Sequence, residues 1–374
     1  MDGSLMNQRD LATKIWQAGV DAVSGYAAVE TALRADDGSI PDQIVAVGKA
    51  AGAMAQAALD RFGMVPCLVV TKDGHGKGLP SHVRLIESSH PVPDARSLIA
   101  GQALRETVAG LSSDAHLLLL VSGGASSLAE DPVPGKTLDD LTALNTSLLA
   151  AGMDITKMNA QRRSVSRIKG GGLMSEFRGA QAEILAISDV PGDDLMVIGS
   201  GIGALPSQYS YKATSRIIAS NAHARNAAGA FAETAGLAVL ENSEDLHDDL
   251  ADLAEKVGAR LRMMDSGVVV LGGEPTVVLP ANPGRGGRNQ ALALALAKEI
   301  AGIGGLTVIV GGTDGTDGPT QAAGAIVSGD TWGPGADQAL AAADSGTYLE
   351  TANALLVTGP TGTNVMDLLV AIRD

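Results

Sequence analysis

The chain has 374 residues, which is more than one hydrophobic core usually covers, so two domains are expected. Its net charge is −15 and no block is rich in Lys or Arg, so nucleic acid and anionic membranes are poor partners. The single cysteine, Cys67, excludes a disulfide framework or a cysteine-based zinc site and suits a reducing compartment.

Two further features of the sequence favour a cytoplasmic location. The first residues lack the apolar core of a secretory signal peptide. The longest apolar stretch, near Ala291–Val310, is interrupted by Lys298, Glu299 and several glycines, so it is not expected to span a membrane. We therefore expect a cytoplasmic protein in which Cys67 is a small buried residue.

The N-terminal part of the chain alternates between amphipathic segments and apolar runs. Apolar positions recur at helical spacing in Asn7–Arg34, and a further helix is expected at Ala95–Ala109. Short apolar runs bounded by turn residues predict buried strands. These runs are Ile44–Val47, Cys67–Thr71, Val83–Glu87, Leu117–Val121, Ala182–Ile187 and Ile217–Ala219. Their β-α-β-α-β rhythm predicts parallel strands with covering helices.

A loop of small residues follows the strand that begins at Leu117. Ligands in open α/β sheets bind outside the carboxyl ends of the strands. Glycines allow a close approach of the backbone, and N–H groups and hydroxyls suit an anion. A tight strand-to-helix turn without a ligand is the alternative interpretation. The candidate binding residues of this loop are Ser122, Gly123, Gly124, Ser126 and Ser127.

Lys49 and His90 also follow predicted strands. Lys49 stands at a strand-to-helix junction, where an ammonium can reach over the sheet edge and bind phosphate. It is not a Walker A lysine, because Gln43 stands where that loop needs glycine and Ala50 replaces the hydroxyl residue. His90, kept extended by the following proline, can position a substrate. The alternatives are a solvated charge for Lys49 and a structural loop residue for His90.

Carboxylates follow the predicted strand Ala182–Ile187. Asp189 and Asp193 offer the hard oxygen atoms that Mg²⁺ prefers as ligands. Aspartate is also an ordinary turn former, so a structural role for both residues stays open. The pattern therefore indicates a candidate magnesium site at the end of this strand.

A basic segment stands out in this acidic chain. The stretch Asp154–Lys169 predicts a helix, which either steers anions towards a site or presents a solvated charged face. Its cations are Lys157, Arg162, Arg163, Arg167 and Lys169. The local concentration of positive charge is more informative here because the net charge is −15.

Acidic residues crowd Glu241–Asp252, and this change of composition indicates a domain boundary just before it. We place the first domain at residues 1–238 and the second at 239–374. A second series of strands and one long helix is expected beyond the boundary. The strands are Val268–Leu271, Thr276–Leu279, Thr307–Val310 and Ala354–Thr358, and the helix runs from Asn289 to Ile300.

Two loops of the second domain carry candidate site residues. Arg285 and Arg288 lie among glycines, and arginine grips carboxylate or phosphate with a two-pronged donor face. The helix that begins at Asn289 adds partial positive charge. Farther on, Asp314 and Asp317 lie three residues apart in a glycine loop. They bind a metal or a hydroxyl group, or they simply form Asx turns.

Several well-known motifs are missing. No predicted strand is followed by GxGxxG, and the stretch Gly199–Gly203 lacks both the spacing and the acidic partner of a dinucleotide site. The chain contains no HExxH, GxSxG or CxxC. Dinucleotide binding is therefore only weakly supported.

Sequence motifs along nearly the whole chain resemble the class II glycerate kinases, which are glycerate 2-kinases. The resemblance implies an α/β protein with a Rossmann-like N-terminal domain, mainly parallel with helices on both sheet faces, and a smaller C-terminal α/β domain called MOFRL. It also implies that the active site lies in the cleft between the two. The motifs are VAVGKAAGAMA, ESSHPVPD, VSGGASSL, MNAQRRSVSRIKGGGL, ISDVPGDD, GGEPTV, GRGGRNQ and GGTDGTDGPT.

The same resemblance implies an activity. Family members phosphorylate D-glycerate to 2-phosphoglycerate with ATP and Mg²⁺, and their catalytic lysine and arginine fall on Lys49 and Arg288. We hypothesise that both cations bracket the transferring phosphoryl group and that Asp189 or Asp193 holds Mg²⁺. Asp189 is counted with the catalytic residues for this reason.

The remaining candidates are assigned to substrate or phosphate binding. Asp314 or Asp317 is expected to orient the C2 hydroxyl group or to take its proton, and the loop after Leu117 is expected to cradle a phosphate or the glycerate carboxylate. His90, Glu274, Arg285 and Asn289 complete the candidate set. The expected partners are glycerate and ATP, with a homodimer left open.

Two other functions stay open at this stage. Relatives of the family are often labelled hydroxypyruvate reductase, which would require NAD(P)H, but the missing dinucleotide motif argues against that label. A non-catalytic protein that binds sugar acids is the other alternative.

Overall fold

The computed structural model describes residues 7–374 except 35–37, 151–156, 158–159 and 162–163. The chain folds into two compact units. One, the parallel-sheet unit, comprises Ser24–Ser220 together with Gly362–Asn364. The other, the mixed-sheet unit, comprises the described residues up to Val23, then Asn221–Thr361 and Val365–Asp374.

The strands of the parallel-sheet unit form one sheet in the order β3-β2-β1-β4-β5-β6, and the neighbouring strands are parallel. This is the strand order of a doubly wound fold, whose topological switch point lies between β1 and β4. The strands are β1 (Gln43–Val47), β2 (Cys67–Lys72), β3 (Arg84–Ser88), β4 (His116–Val121), β5 (Gln181–Ile187) and β6 (Lys212–Ala219).

Helices lie in several of the connections between these parallel strands, which need crossovers, although β2 and β3 are joined without a helix. They are α2 (Gly25–Arg34), α3 (Ala51–Phe62), α4 (Ala95–Ala109), α5 (Ala125–Leu128), α6 (Leu138–Ala150) and α7 (Gly172–Ser175), numbered along the whole chain. Short 3₁₀ turns at Pro191–Asp193 and Ile198–Gly201 follow β5.

The core of the parallel-sheet unit explains why its central strands are continuous apolar runs. Val45 and Val47 pack with Leu117, Leu119 and residues of α4 in one buried cluster. The alternating residue Ile44 is buried as well, so both faces of β1 are covered. A strand covered on both faces needs apolar side chains at every position.

The strands of the mixed-sheet unit form a second sheet in the order β11-β10-β9-β12-β8-β7. β7 and β8 are parallel, whereas the other neighbours are antiparallel. The strands are β7 (Val239–Glu244), β8 (Gly267–Gly273), β9 (Leu306–Gly312), β10 (Gly324–Ser328), β11 (Leu355–Leu356) and β12 (Asp367–Arg373).

Helices cover both faces of the mixed sheet. On one face Trp16 packs with Val268 and Val270, and its indole N–H donates to the Leu368 carbonyl at 3.1 Å. On the other face the alternating residues Val269 and Leu271 pack in a second cluster. The helices of this unit are α1 (Gln8–Ala22), α8 (Asn221–Thr234), α9 (Leu250–Met263), α10 (Arg288–Glu299), α11 (Ala336–Ala341) and α12 (Ser345–Thr351).

The predicted fold class is confirmed, with one parallel and one mixed α/β sheet. The compact units, however, are not divided between residues 238 and 239. α1 and α8 lie N-terminal to that point, yet their residues Trp16, Ala228 and Ala232 pack on the mixed sheet. Burial of one apolar face decides which sheet a helix joins, and the local pattern of a helix does not reveal its partner.

Two predictions about the second series of strands are wrong. Thr276–Leu279 is not a strand, because its only ladder contact is an isolated bridge from Thr276 to Asp249. Val278 in this segment is 88% exposed. Ala354–Thr358 is not the last strand either. The last is β12, which lies between β8 and β9 in the middle of the sheet.

Three further predictions concern Cys67, the basic segment and membrane-spanning helices. Cys67 is buried as expected, and burial raises the pKa of its thiol to about 12. Within the predicted basic segment, the described residues Lys157, Ala160, Gln161 and Ser164 are helical, whereas Arg167–Lys169 forms bends and a turn. Among the described residues, the helices are too short or too polar to span a membrane.

Candidate active site

The loops after β1 and β4 are joined by hydrogen bonds at the switch point of the parallel sheet. The Lys49 N–H donates to the Gly123 carbonyl at 2.9 Å, and the Ser122 N–H donates to the Val47 carbonyl at 3.0 Å. The Ala50 N–H donates to Ser122 Oγ at 3.1 Å. Because Ser122 is fully buried, its hydroxyl braces the two loops against each other.

Glycines allow these loops to approach closely. At Gly48, which has φ +128°, an added Cβ would lie 2.2 Å from Ser122 Oγ. At Gly123, it would lie 1.9 Å from a carboxylate oxygen of Asp189. Neither distance is compatible with a side chain, so the sequence Ser-Gly-Gly brings the Asp189 carboxylate directly against the loop.

Lys49 and His90 meet beside Gly124. A Cβ at Gly124 would lie 3.1 Å from His90 Nε2 and 3.1 Å from Lys49 Cγ. Both side chains are half-buried. Lys49, His90 and Asp189 therefore surround the loop after β4, where sequence analysis placed an anion site. We call these three residues and Ser122–Ser127 the switch-point cluster.

Asn364 is a member of this region that sequence analysis missed. It belongs to the parallel-sheet unit, although it lies far along the chain, and its Nδ2 donates to Asp189 Oδ2 at 3.3 Å. The amide therefore orients the Asp189 carboxylate. The tripeptide Gly362–Asn364 is rich in small polar residues after a predicted strand, which was the available sequence signal.

The hydroxyls of the loop differ in their contacts. Ser126 Oγ lies 2.9 Å from Ser200 Oγ, and Ser127 Oγ donates to the Gly124 carbonyl at 3.2 Å. Both serines are half-buried. Each hydroxyl also has acceptor capacity left for a ligand.

Asp193, the other candidate magnesium ligand, lies at the end of a 3₁₀ turn with φ +53° and is half-buried. Within the described residues, no group of three or more His, Cys, Asp or Glu side chains is arranged to hold a metal ion. A divalent cation at this place would therefore depend on few protein ligands, with the substrate supplying others.

In the mixed-sheet unit, Arg288 is the first residue of α10 and contacts two carboxylates. Its Nε donates to Asp367 Oδ2 at 2.7 Å, and its Nη2 donates to Asp367 Oδ1 at 3.2 Å. Its Nη1 donates to Glu274 Oε1 at 2.5 Å. We call Glu274, Arg288, Asn289 and Asp367 the arginine cluster.

The electrostatics of the arginine cluster keep Arg288 charged. Burial disfavours the cation, but Asp367 and Glu274 favour it more strongly, so the pKa of Arg288 is raised above its usual value. Burial also raises the pKa of the Asp367 carboxyl, and the Arg288 cation opposes that rise. A buried carboxylate of this kind is stable only with a paired charge and hydrogen bonds.

Asp317 caps the helix that begins with Arg288. Its Oδ1 accepts from the Asn289 N–H at 3.1 Å and its Oδ2 accepts from the Gln290 N–H at 2.8 Å. Burial raises the pKa of Asp317 to about 6. Because both oxygens face α10 and the side chain is buried, Asp317 acts as a helix cap and is poorly placed to meet a substrate hydroxyl group.

Asn289 and Arg285 are held by their own unit. Asn289 Nδ2 donates to Asp367 Oδ1 at 2.9 Å, and its buried Oδ1 has no partner among the described residues. The Arg285 guanidinium forms an exposed ion pair with Glu350. Sequence analysis grouped Arg285 with Arg288, but only Arg288 is held between buried and exposed carboxylates.

Asp314 forms the Asx turn that sequence analysis named as an alternative. Its Oδ1 accepts from the Thr316 N–H at 2.9 Å and from Thr316 Oγ1 at 2.9 Å. The residue is half-buried. The Asx turn accounts for these two contacts, and ligand binding by Asp314 stays a prediction.

Two family models match the chain one after the other, and the first of them includes residues of both compact units. Residues 11–232 match a family described as "Domain of unknown function (DUF4147)", and residues 267–367 match the MOFRL family. The chain is 34% identical to D-glycerate 2-kinase of Thermotoga maritima over 88% of this chain and 90% of that protein. The chain belongs to the class II glycerate kinase family.

A solved structure supports the family assignment. The crystal structure of glycerate kinase from Thermotoga maritima aligns with a TM-score of 0.89 at 32% identity, covering 98% of this chain and 99% of that one. A relative from Agrobacterium vitis that carries the name hydroxypyruvate reductase is 37% identical over 87% of this chain and 97% of its own. The family thus contains proteins under both names.

In the described part of the basic segment Asp154–Lys169, Arg167 and Lys169 form ion pairs within the protein. Arg167 and Arg105 both pair with Asp131, and Lys169 pairs with the buried Glu130. These contacts favour a structural role over anion steering for Arg167 and Lys169. Arg162 and Arg163 lie outside the described residues.

Proposed function

We propose that this protein is a glycerate 2-kinase, which transfers the γ-phosphoryl group of ATP to the C2 hydroxyl group of D-glycerate. The observation that carries the proposal is the switch-point cluster. Lys49, His90 and Asp189 surround one glycine loop at the carboxyl edge of a doubly wound sheet, in a member of the glycerate kinase family. Such an edge is the usual ligand site of this fold.

Lys49 and Arg288 are the proposed catalytic cations. Phosphoryl transfer requires in-line placement and neutralisation of charge on the transferring group more than covalent help from the protein. An ammonium acts as a compact point charge, whereas a guanidinium binds oxyanions through a flat edge of N–H donors. Both kinds of donor contribute to stabilising the charge of a transition state when they are held in place beforehand.

Asp189 is the proposed protein ligand of Mg²⁺, with Asp193 as a further candidate. Magnesium in kinases is usually held by one or two carboxylates together with substrate phosphates, and the absence of a larger cluster among the described residues fits that arrangement. Asn364 donates to Asp189 Oδ2 and so helps to orient this carboxylate. When bound, the ion would neutralise charge on the phosphates.

The remaining proposed roles follow from exposure and contacts. His90 is half-buried beside the glycine loop and can donate to the carboxylate of glycerate or to a phosphate, whereas the half-buried Ser126 and Ser127 hydroxyls can accept from a hydroxyl group of the ligand. Of the two aspartates proposed to orient the C2 hydroxyl group, we favour Asp314, because both oxygens of Asp317 accept from the start of α10.

One coupled assay tests the proposal. The protein is mixed with ATP, Mg²⁺ and D-glycerate, and the product is passed directly to enolase. A signal without added phosphoglycerate mutase is expected, since 2-phosphoglycerate is itself the enolase substrate. A signal only with mutase would identify phosphorylation at C3. Oxidation of NAD(P)H with hydroxypyruvate, without ADP formation from glycerate, would instead support the reductase.

A further inference from the structure

Asp367 occupies a special position in the mixed sheet. It is the first residue of β12, and it lies opposite Gly273 of β8 and Gly312 of β9. The Asp367 carboxylate lies against Gly312, where an added Cβ would be in ordinary contact with Oδ1 at 3.4 Å. The Asp367 side chain is only 2% exposed.

The two carboxylates on Arg288 are not equivalent. Asp367 accepts from both Nε and Nη2, and its Oδ1 accepts in addition from Asn289 Nδ2. A two-pronged contact of this kind fixes the plane of the guanidinium. Glu274, by contrast, accepts from Nη1 alone and is 45% exposed. Water and ions can therefore reach the Glu274 contact much more easily than the Asp367 contact.

The contact with Asp367 leaves one edge of Arg288 open to a ligand. Nη1 contacts only Glu274, and the edge formed by Nη1 and Nη2 keeps donors without a partner among the described residues. An oxyanion that approaches this edge can replace Glu274 while both hydrogen bonds from Arg288 to Asp367 remain. Asp367 is therefore the permanent partner of Arg288, and Glu274 is the partner that a ligand can replace.

We propose that Asp367 is the positioning residue for Arg288 in phosphoryl transfer: it fixes the guanidinium plane, and Glu274 is the partner that an incoming oxyanion displaces. This inference rests on the proposed function and adds to it a residue that does not touch the substrate. Asp367 also accepts from Asn289, but the proposed contribution of Asp367 to kcat is made through Arg288 and disappears when Arg288 is absent.

A double-mutant cycle tests this dependence. Wild type, Asp367→Asn, Arg288→Ala and the double variant are compared in the enolase-coupled assay. Because a misplaced catalytic group costs about 100-fold in rate, Asp367→Asn is expected to lower kcat by about that factor while KM changes little. In the Arg288→Ala background, the same substitution should leave kcat unchanged. An equal loss in both backgrounds would overturn the proposal.

A second variant keeps the test decisive if Asp367→Asn does not fold. Arg288→Lys preserves the charge balance around Asp367 but cannot make the two-pronged contact. We expect kcat to fall nearly as far as in Arg288→Ala. Wild-type kcat in Arg288→Lys would overturn the proposal, because positive charge without orientation would then be sufficient.

Asp245→Asn is the matched control. Arg260 lies in the same unit between two carboxylates, Glu241 and Asp245, and is 29% exposed, compared with 31% for Arg288. The same chemical change at Asp245 should leave kcat as in wild type. A loss of kcat there equal to that in Asp367→Asn would show a general effect of breaking arginine pairs, and would count against the proposal.

The outcomes also separate this inference from the proposed function. If wild type makes no 2-phosphoglycerate, or if Arg288→Ala retains wild-type kcat, the proposed function or the role of Arg288 fails. If Arg288→Ala loses activity but Asp367→Asn does not, the role of Arg288 stands and only the assignment of Asp367 fails.

Discussion

The switch-point cluster and the arginine cluster are built in opposite ways. In the first, glycines and backbone hydrogen bonds bring Lys49, His90 and Asp189 to one loop. In the second, side-chain ion pairs hold Arg288, the first residue of α10, against Glu274 and against Asp367 at the start of β12. A loop packed through glycines is sensitive to added volume, whereas a cluster held by ion pairs is sensitive to lost charge. The following predictions test this contrast.

The largest effect on activity is expected when Lys49 is replaced. Lys49→Ala removes a cation placed at the switch point, and we expect kcat/KM to fall by about 100- to 1000-fold. The midpoint of thermal unfolding should hardly change, because Lys49 is only half-buried. Lys136→Ala, an exposed lysine of the same unit, is the control and should keep wild-type kinetics. Unchanged kcat/KM in Lys49→Ala would end its assignment as catalytic.

The next effect is a pH dependence of stability at Asp317, which caps α10 beside the arginine cluster. Burial raises the pKa of Asp317 to about 6, above its value of 3.8 in an unfolded chain. The native state therefore binds the proton more tightly, so this group's contribution to stability decreases as the pH rises from about 4 to beyond 6. A difference of about two pKa units corresponds to about 3 kcal/mol.

Urea unfolding at several pH values measures this contribution. The free energy of unfolding of wild type relative to Asp317→Asn should decrease between pH 4 and pH 7, because the variant cannot ionise at this position. Asp337→Asn, whose side chain is 68% exposed in wild type, is the control and should show no comparable trend. Parallel pH profiles for wild type and Asp317→Asn would contradict the prediction.

Added volume at Gly123 should damage the switch-point cluster. Gly123→Ala places a Cβ within 1.9 Å of the Asp189 carboxylate, so either the loop or Asp189 must move. Overpacking of this kind costs about 1–3 kcal/mol of stability, and kcat/KM should fall as well because Asp189 is displaced.

Gly135→Ala provides the control for Gly123→Ala. Gly135 has φ +85° and open space around its Cβ position, so alanine there introduces backbone strain without a collision. We expect a loss of stability of about 1–2 kcal/mol but wild-type kcat/KM. If both variants keep wild-type kinetics, the close approach of Asp189 to the loop has no catalytic importance.

The smallest effect is expected at the exposed side of the arginine cluster. Glu274→Gln breaks a half-exposed ion pair, and the free energy of unfolding should change by less than about 1 kcal/mol. Asp367→Asn leaves a charge without its buried partner and should cost about 3–5 kcal/mol. Chemical denaturation of both variants measures the difference. Equal losses would show that burial does not distinguish the two partners of Arg288.

The local predictions succeeded where short-range patterns carry the information. The strands of the parallel sheet appear close to their predicted positions, because apolar runs bounded by glycine and proline are visible within a few residues. Helix Ala95–Ala109 was predicted with its observed limits, and Asp94 caps it as a favoured N-cap residue does. Lys49 and the Ser122–Ser127 loop were singled out for the same reason, since each follows a buried strand.

The predictions failed where the partner of a segment lies far away in the sequence. The run DLLVAIR was overlooked as a strand, yet β12 pairs with β8 and β9 in the middle of the mixed sheet. Thr276–Leu279 has the composition of a strand but is not part of the mixed sheet. Strand pairing depends on long-range neighbours, so composition alone does not decide it.

The sequence by itself therefore determined the fold class, the family and the loops that carry Lys49, Asp189 and Arg288. Local periodicity and short motifs are sufficient to predict these features. Only the tertiary structure decided that Asn364 orients Asp189 and that Asp367 holds Arg288, its partner 79 residues away. Such contacts join residues that share no local pattern, and burial and hydrogen-bond geometry select them only once the sheets have formed.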